Sequence, residues 1–310
     1  MNSIWIIAEN LPWAAVLVSA AKSIKADARI VAFVNEDEVA AGEAVVHGAA
    51  AAFALPLPAD GLWEGYAPSV LEKAEAEKPA FILLSASKRC RDMAAQLAAG
   101  LDAPCFSGGR NITVQGDTVT AQTLVYGGAA VQTTSCSAPT VLATIGAKDF
   151  DPAPADTSRS GPVATLAYAG GPAKVSGRQA RKAQGVNLAD AAKVVSIGRG
   201  FEEENQLAAP RELAAAIGAE VACSRPIAEF FKWMPEECYV GISGQALKPR
   251  LYLAIGISGQ AQHSFGVRDA KTIVSINKDA ECLMNRNADY YIVGDWKQVV
   301  PALMKALKGE

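Results

Sequence analysis

The chain alternates short β-rich segments with alanine-rich segments of helical length. SIWIIA (3–8), RIVAFV (29–34) and AFILLSA (80–86) have the apolar, β-branched and aromatic composition of buried strands. The segments between and after them, such as PWAAVLVSAAKSIKA, DEVAAGEAVV and RDMAAQLAAGL, are rich in alanine and suit helices. This rhythm predicts βαβ units, in which neighbouring strands run parallel. The first hundred or so residues are therefore predicted to form a parallel sheet flanked by helices.

Two segments of different character follow. NITVQGDTVTAQTLVYGG and VQTTSCSAPTVLATI are rich in threonine and valine, include a Gly-Asp turn, and predict antiparallel strands that complete the first domain. From Asp151 to about Asn187 the chain is rich in proline and glycine, which favours an irregular connection. A short strand is predicted within this connection at ATLAYA (164–169).

The strand–helix rhythm returns at Lys193. KVVSIG, EVACS, LYLAIG, TIVSIN and YYIVG predict strands, with a helix over 202–217 and a last helix in DWKQVVPALMKAL. We therefore expect an α/β protein of two domains, each with a mainly parallel sheet flanked by helices. The predicted ranges are 1–150 for the N-terminal domain, 151–188 for a linker and 189–310 for the C-terminal domain.

Composition excludes several classes of function. The 29 basic and 32 acidic residues give a net charge of -3, which provides no general attraction to nucleic acid or to an anionic membrane. Six cysteines without a CxxC spacing, together with two histidines, give almost no ligand set for zinc or an iron–sulfur cluster. Prolines interrupt the longest apolar stretch, and MNSIWIIAENLPW lacks the basic region of a signal peptide. We therefore expect no membrane insertion and a cytoplasmic location.

The predicted strands of the second domain end in small residues and turns. KVVSIG runs into GRG (198–200), LYLAI runs into GISG (256–259), and TIVSI runs into Asn277. In an open parallel sheet, ligands bind outside the carboxyl ends of the strands. Glycine allows the backbone to approach a ligand closely, and this pattern favours a nucleotide or dinucleotide. Neither a GxGxxG fingerprint nor a GxxxxGK[ST] loop is present.

The hexapeptide GISGQA occurs twice, at 241–246 and at 256–261. The second copy follows a predicted strand and can begin a short helix, so its N–H groups can face an anion. The first copy is followed by LKPR, and Pro249 prevents a long helix, so a loop is predicted there. A single period of fifteen residues does not build a solenoid. Two alternatives remain: two similar turns between strands, or two walls of one ligand site.

Several side chains near these copies have two interpretations. His263 could satisfy a core group or donate a hydrogen bond to a ligand carbonyl. Arg225 could form a surface salt bridge or place a fixed cation beside a ligand that gains negative charge. Ser243 and Ser258 are poor candidates for a nucleophile, because GISG misses the GxSxG spacing by one position and no His–carboxylate pair supports acyl transfer.

Longer segments of the second domain carry a family resemblance. VVSIGRG, CSRPIAE, KWMPEECYVGISG, LKPRLYLAIGISGQAQH, KTIVSINKD and ADYYIVGD resemble the α subunit of electron transfer flavoproteins, in the branch of the Fix and carnitine-type systems. The N-terminal segments SKRCRDMAAQLAAGLDAP and VYGGAA resemble the family more weakly. After its NKD motif the family usually has an apolar stretch such as APIFQVAD. This chain has CLMNRNAD (282–289), with Leu283, Asn285 and Asn287 in place of Pro, Phe and Val.

The resemblance implies a flavin-dependent electron carrier rather than a substrate-converting enzyme. It implies that the C-terminal domain binds FAD and that the N-terminal domain contacts a β subunit in a heterodimer. Electrons would pass from a flavin or NADH-linked dehydrogenase, such as an acyl-CoA dehydrogenase, to a quinone oxidoreductase or another acceptor. Fatty-acid, carnitine and nitrogen-fixation settings stay open, as does membership of an electron-bifurcating complex.

The resemblance also implies a set of FAD contacts, of which the last three would hold the adenosine half. These residues are Arg199, Ser224, Arg225, Val240, Gly241, Ile242, Ser243, Ser258, Gly259, Gln260, Ala261, Gln262, His263, Asn277, Asp295 and Trp296. The implied flavin-tuning residues are Arg225, Ser243 at the redox edge and His263 near the pyrimidine carbonyl, with Gln262 on the ribityl chain. On this hypothesis the two GISGQA copies are two walls of one pocket.

Two other functions are compatible with the same domain type. A nicotinamide-dependent oxidoreductase would be expected to place an acidic residue on a ribose at the second strand end, where this chain has Cys223-Ser224-Arg225. A regulatory module without redox chemistry would bind adenine nucleotides through the N-terminal domain. Such a module would be colourless, and ATP or AMP would change its thermal stability.

Overall fold

The computed structural model describes residues 3–128, 130–146, 149–179, 188 and 190–309. The chain splits into two compact units. The N-terminal unit comprises residues 1–125 and 131–179, and the C-terminal unit comprises residues 126–130 and 180–310.

The N-terminal unit contains a parallel sheet and a smaller second sheet. Its strands are β1 (Ser3–Ala8), β2 (Arg29–Val34), β3 (Ala51–Ala54), β4 (Phe81–Ser85), β5 (Cys105–Phe106), β6 (Arg110–Gln115), β7 (Thr118–Val125), β8 (Ala130–Cys136), β9 (Val141–Ile145) and β10 (Val163–Thr165). Among the described residues the main sheet has the order β10-β3-β2-β1-β4-β9-β5, and every pairing in it is parallel. The smaller sheet has the order β6-β7-β8.

The helices of this unit follow the alanine-rich segments. They are α1 (Leu11–Ile24), α2 (Glu38–Val46), α3 (Ala67–Glu77) and α4 (Lys88–Gly100). Three of them begin with a side-chain cap of the expected kind, since Asn10, Asp37 and Ser87 accept hydrogen bonds from backbone N–H groups in the first turn of α1, α2 and α4. The helices predicted in these segments are confirmed.

One strand prediction is wrong in its direction. The VLATI segment was expected to be antiparallel, but as β9 it pairs in parallel with β4 inside the main sheet. All five of its residues are buried, which is typical of a parallel strand covered on both faces. The preceding segments behave as predicted, because β6 and β7 form an antiparallel pair.

The predicted linker differs from the structure in its first part. Residues 151–179 cluster with the N-terminal unit, and β10 pairs in parallel with β3 as an edge strand. Ala153 fixes the start of this segment, since its N–H donates to the Ala15 carbonyl at 3.0 Å and its own carbonyl lies 2.7 Å from Nδ1 of His47. Backbone pairing with strands more than a hundred residues away holds the segment in place. Residues 180–187 of the predicted linker lie outside the described residues.

The C-terminal unit is built around a second parallel sheet. Its strands are β11 (Lys193–Ile197), β12 (Glu220–Cys223), β13 (Leu251–Ile255), β14 (Ile273–Asn277) and β15 (Tyr290–Val293). Its helices are α5 (Ala208–Ile217), α6 (Ala261–Phe265), α7 (Leu283–Asn287) and α8 (Trp296–Lys308). The order in the described residues is β12-β11-β13-β14-β15, with parallel pairing throughout. The predicted α/β class, with parallel sheets flanked by helices, is therefore confirmed.

Parallel pairing brings the carboxyl ends of these five strands to one edge of the sheet. The central strand β13 is almost entirely buried, and its last residue, Ile255, leads directly into the second GISGQA copy. The ends of β11 and β14 lie on either side of it in the sheet order. No helix in the described part of the chain is both long and apolar enough to cross a membrane.

Candidate functional site

A cavity of about 360 Å³ lies at the carboxyl ends of the strands of the C-terminal unit. Most of the residues singled out in the sequence line it: Arg199, Ser224, Arg225, Val240, Gly241, Ile242, Ser243, Ser258, Gln260, Gln262 and His263. The sequence analysis missed four other lining residues, Pro226, Tyr239, Gly256 and Ile257. Pro226, Tyr239 and Ile257 are each adjacent in sequence to a predicted residue, and Gly256 is the first residue of the second GISGQA copy, two positions before Ser258. Nearness in sequence was therefore the available signal.

A second, smaller cavity of about 50 Å³ adjoins the first. Gly256 lines both cavities. The second cavity brings together the remaining polar candidates, Asn277, Asp295 and Trp296, and also Glu202, Lys278 and Lys297, which sequence analysis did not identify. Two predicted residues line neither cavity. Ala261 borders a separate space of about 400 Å³, and Gly259 packs against the backbone of Met284.

The two GISGQA copies have different structures and line one cavity. The first copy is a tight turn, in which the Gln245 N–H donates to the Tyr239 carbonyl at 2.8 Å. The second copy follows β13 and leads into the short helix α6. A hydrogen bond of 2.8 Å runs from the Ile242 N–H of the first copy to the carbonyl of Gln262, the residue that follows the second copy. The two copies therefore have the same sequence but different conformations, and residues of both line the same cavity.

Glycines at the strand ends allow close backbone packing beside the cavities. A Cβ atom on Gly198 would lie 2.3 Å from the Gly256 carbonyl oxygen, and one on Gly200 would lie 2.7 Å from the Gly256 Cα. Gly256 itself has a φ of +63°, in the left-handed region that favours glycine. Backbone hydrogen bonds from Gly198 to Ile255 (2.9 Å) and from Gly200 to Gly256 (3.0 Å) hold the GRG turn against the second copy. The wall between the two cavities is therefore bare backbone.

His263 belongs to the core and also lines the larger cavity. Its side chain is buried, with 8% of the residue exposed, and Nε2 lies 2.8 Å from the hydroxyl of Tyr252 in β13. Burial lowers the pKa of His263 to about 4 because it disfavours the charged imidazolium, and the backbone of Val240 partly opposes this shift. Nδ1 is buried and makes no hydrogen bond of standard distance and angle in the described part of the chain, although the backbone of Val240 lies near enough to the ring to favour its protonated form. The ring is thus a neutral part of the cavity wall, anchored to the core.

Arg225 lies at the mouth of the first cavity and keeps its charge. Its Nε donates to Oε2 of Glu229 at 2.6 Å, and 59% of the Arg225 side chain is exposed. The hydrogen bond to Glu229 and its negative charge raise the pKa of Arg225 above the usual arginine range. The salt-bridge interpretation is therefore correct, and the same side chain also lines the cavity. Nearby, the Ser243 hydroxyl forms a short hydrogen bond with the Tyr239 hydroxyl.

Side chains of the second cavity hold the surrounding turns together. The Asn277 amide donates to the Ile257 carbonyl at 2.9 Å, and Trp296 Nε1 donates to the Gly200 carbonyl at 3.0 Å. The Trp296 ring also stacks on Phe201, with ring centroids 4.2 Å apart. Asp295 caps α8 by accepting from the Lys297 N–H. These residues connect the ends of β11, β13 and β14 around one small space.

The donor set of the C-terminal unit suits an organic ligand. No group of three or more His, Cys, Asp or Glu side chains in the described residues could hold a metal ion. All six cysteines are free thiols, and burial raises the pKa of Cys223 to about 12. The larger cavity is lined by backbone groups, apolar side chains, hydroxyls, amides, the two exposed cations Arg199 and Arg225, and one neutral imidazole.

Comparison with known proteins identifies the family. Residues 4–170 match the electron transfer flavoprotein domain, and residues 187–268 match the electron transfer flavoprotein FAD-binding domain. Protein FixB of Escherichia coli O6:K15:H31 is 40% identical over 253 residues, 81% of each chain. The putative electron transfer flavoprotein subunit YdiR of Escherichia coli K12 is 39% identical over 246 residues, 79% of each chain. Protein FixB of Shigella dysenteriae serotype 1 is 41% identical over 254 residues, again 81% of each chain. The chain therefore belongs to the electron transfer flavoprotein family, as an α subunit of its Fix branch.

Proposed function

We propose that the C-terminal unit binds FAD across the two adjoining cavities and that the chain, paired with a β subunit, carries electrons between other redox proteins. The observation that supports this most directly is that Gly256 lines both cavities. A dinucleotide has two halves joined by a diphosphate, and a site for it needs two neighbouring spaces with a close backbone approach between them. The matched FAD-binding domain covers both sides of that approach.

The residues present fit such a ligand. In the proposal the larger cavity receives the isoalloxazine and ribityl groups, and the adenosine half lies at the smaller one, whose volume of about 50 Å³ holds only part of it. Gly198, Gly200 and Gly256 allow two backbone segments to pack closely beside the cavities, since a Cβ atom on any of them would lie 2.8 Å or less from a backbone atom. The orphaned Nδ1 of buried His263 provides a polar group whose hydrogen-bonding capacity is not satisfied within the described chain.

Electron carriage needs little chemistry from the protein itself. When bound, FAD supplies the capacity to accept and release electrons, and no nucleophile or general base is required. Arg225 would contribute a permanent positive charge at the cavity mouth, partly balanced by Glu229. His263 would contribute a hydrogen-bonding ring without charge at neutral pH. The linked hydroxyls of Tyr239 and Ser243 would contribute adjustable donors at the opposite wall.

The partners follow from the same proposal. We expect a flavin dehydrogenase of the acyl-CoA type, or an NADH-linked one, as donor and a quinone-linked oxidoreductase or another redox protein as acceptor. Two relatives carry the printed name FixB and one is named as a putative electron transfer flavoprotein subunit, which supports carriage rather than substrate conversion. A cytoplasmic location and a heterodimer remain part of the proposal.

The absorption spectrum of the chain, purified together with its β subunit, tests the proposal. A flavin band that is released as FAD on denaturation, at one FAD or more per heterodimer, supports it. A colourless heterodimer that does not take up added FAD would overturn it. Direct and complete reduction by NADH without any added dehydrogenase would favour a nicotinamide-dependent oxidoreductase instead.

A further inference from the structure

The short helix α7 contains a buried asparagine at the place where the sequence departs from the family pattern. Asn285 is only 5% exposed. A buried amide is unfavourable unless its polar atoms are hydrogen-bonded. Here Oδ1 accepts from the Ser275 hydroxyl at 2.7 Å, and Nδ2 donates to the carbonyls of Asp279 (3.1 Å) and Ala280 (3.3 Å). Both the amide nitrogen and the carbonyl oxygen of the side chain are therefore hydrogen-bonded.

These hydrogen bonds join a rigid strand to a turn of the candidate site. Ser275 is a buried residue of β14, and Asp279 and Ala280 belong to the turn that follows this strand. The same turn begins at Asn277, whose Oδ1 accepts from the Asp279 N–H at 3.1 Å. Asn277 and Lys278 line the second cavity. The Asn285 side chain thus holds the turn that forms part of the wall of the second cavity, without itself lining that cavity.

The first cavity depends on α7 through a different group. The Met284 N–H donates to the Ser258 carbonyl at 3.2 Å, and this bond involves only backbone atoms. No hydrogen bond of the Asn285 side chain in the described structure reaches a residue that lines the first cavity. Replacing that side chain should therefore disturb the second cavity more than the first.

We infer that Asn285 is a positioning residue that sets the affinity of the second cavity for the adenosine half of a flavin dinucleotide. The identity of the ligand rests on the proposed function. The side chain does not touch the cavity; it acts through the turn 277–280, which it holds at a fixed distance from β14.

Comparing the binding of FAD with that of FMN tests this inference, because FMN lacks the adenosine half. The measurement is flavin fluorescence on titration into the flavin-free heterodimer. Asn285→Leu keeps the size of the side chain but removes every hydrogen bond. Loss of the contacts to two carbonyls should weaken FAD binding by about tenfold, while FMN binding should change by less than about threefold.

Two further variants keep the test decisive. Ser275→Ala removes only the hydrogen bond between Asn285 and β14. It should therefore weaken FAD binding selectively, as Asn285→Leu does, but by a smaller factor. This variant replaces Asn285→Leu if the latter does not fold. Asn287→Leu is the matched control, since Asn287 lies in the same helix but is exposed and its amide contacts Ser264 instead. Asn287→Leu should leave the ratio of the FAD affinity to the FMN affinity unchanged.

The outcomes separate this inference from the proposed function. Equal weakening of FAD and FMN in Asn285→Leu and Ser275→Ala, or no weakening of either, overturns the positioning role. A wild-type heterodimer that binds neither flavin overturns the proposed function itself. A wild-type heterodimer that binds both flavins equally well overturns the assignment of the second cavity to the adenosine half.

Discussion

The imidazole of His263 is neutral in the folded chain because protonation would place a charge in a buried site. Its pKa is lowered to about 4 from an ordinary value of 6.5. Between these two pH values the unfolded chain binds a proton that the folded chain does not bind. The contribution of this group to stability is therefore complete above about pH 6.5 and is lost as the pH falls towards 4.

We expect His263→Gln to lose less stability on acidification than the wild type. A difference of one in pKa between the folded and unfolded chain corresponds to about 1.4 kcal/mol, so the wild type should lose roughly 3 kcal/mol more than the variant between pH 7 and pH 4. Urea unfolding at both pH values measures the difference, and carboxylates common to both proteins cancel in it. Equal losses in the two proteins would show that His263 is not the group responsible.

The charge of Arg225 should raise the reduction potential of the proposed flavin, because a cation stabilises a group that gains negative charge. Arg225→Ala should lower that potential, and Arg225→Lys should retain part of the effect. Glu229→Gln should raise it, because it removes the anion paired with Arg225 at 2.6 Å. Spectroelectrochemical titration of the heterodimer measures all three values. Shifts of the same sign in Arg225→Ala and Glu229→Gln would rule out a charge effect.

At the scale of elements, the contact between the GRG turn and the second GISGQA copy leaves no room for a side chain. Gly198→Ala would place a Cβ 2.3 Å from the Gly256 carbonyl oxygen, so backbone must move. We expect a loss of about 1–3 kcal/mol in the free energy of unfolding, together with weaker FAD binding. Gly177→Ala is the control, because a Cβ there meets nothing within 4 Å. If both variants match the wild type in urea unfolding and in flavin content, the close contact between Gly198 and Gly256 contributes neither to stability nor to FAD binding.

The strands of the C-terminal unit could be predicted from the sequence because their composition is a local property. KVVSI, LYLAI and IVSIN are short apolar runs bounded by glycine or polar turns, and they form β11, β13 and β14. The direction of β9 could not be predicted in this way, since VLATI has the composition of either kind of strand and only its burial on both faces distinguishes them. Asn285 was noticed as a departure, but its three partners lie on two other elements.

At the scale of the whole molecule, the sequence predicted two α/β domains but not how every segment is shared between the two units. Residues 126–130 cluster with the C-terminal unit, although the segments on either side of them cluster with the N-terminal one. The frequent proline and glycine of 151–179 predict a linker with one short strand, and the structure places that strand, β10, at the edge of the first sheet. Such assignments depend on contacts between residues far apart in the chain, and composition does not encode them.

Hydrogen exchange of the heterodimer with and without FAD tests which unit holds the ligand. FAD at about a hundred times its dissociation constant should stabilise the binding unit by about 2.7 kcal/mol against local opening. We expect slower exchange at 198–200, 241–244 and 256–263, because these segments line or adjoin the two cavities, and no change in β1–β4. AMP in place of FAD serves as the comparison ligand, since a regulatory nucleotide site in the N-terminal unit would protect that unit instead. A ligand slows exchange only where its binding opposes local opening. If AMP slows exchange in the N-terminal unit and FAD does not slow it in the C-terminal unit, the regulatory module would be favoured over the electron carrier.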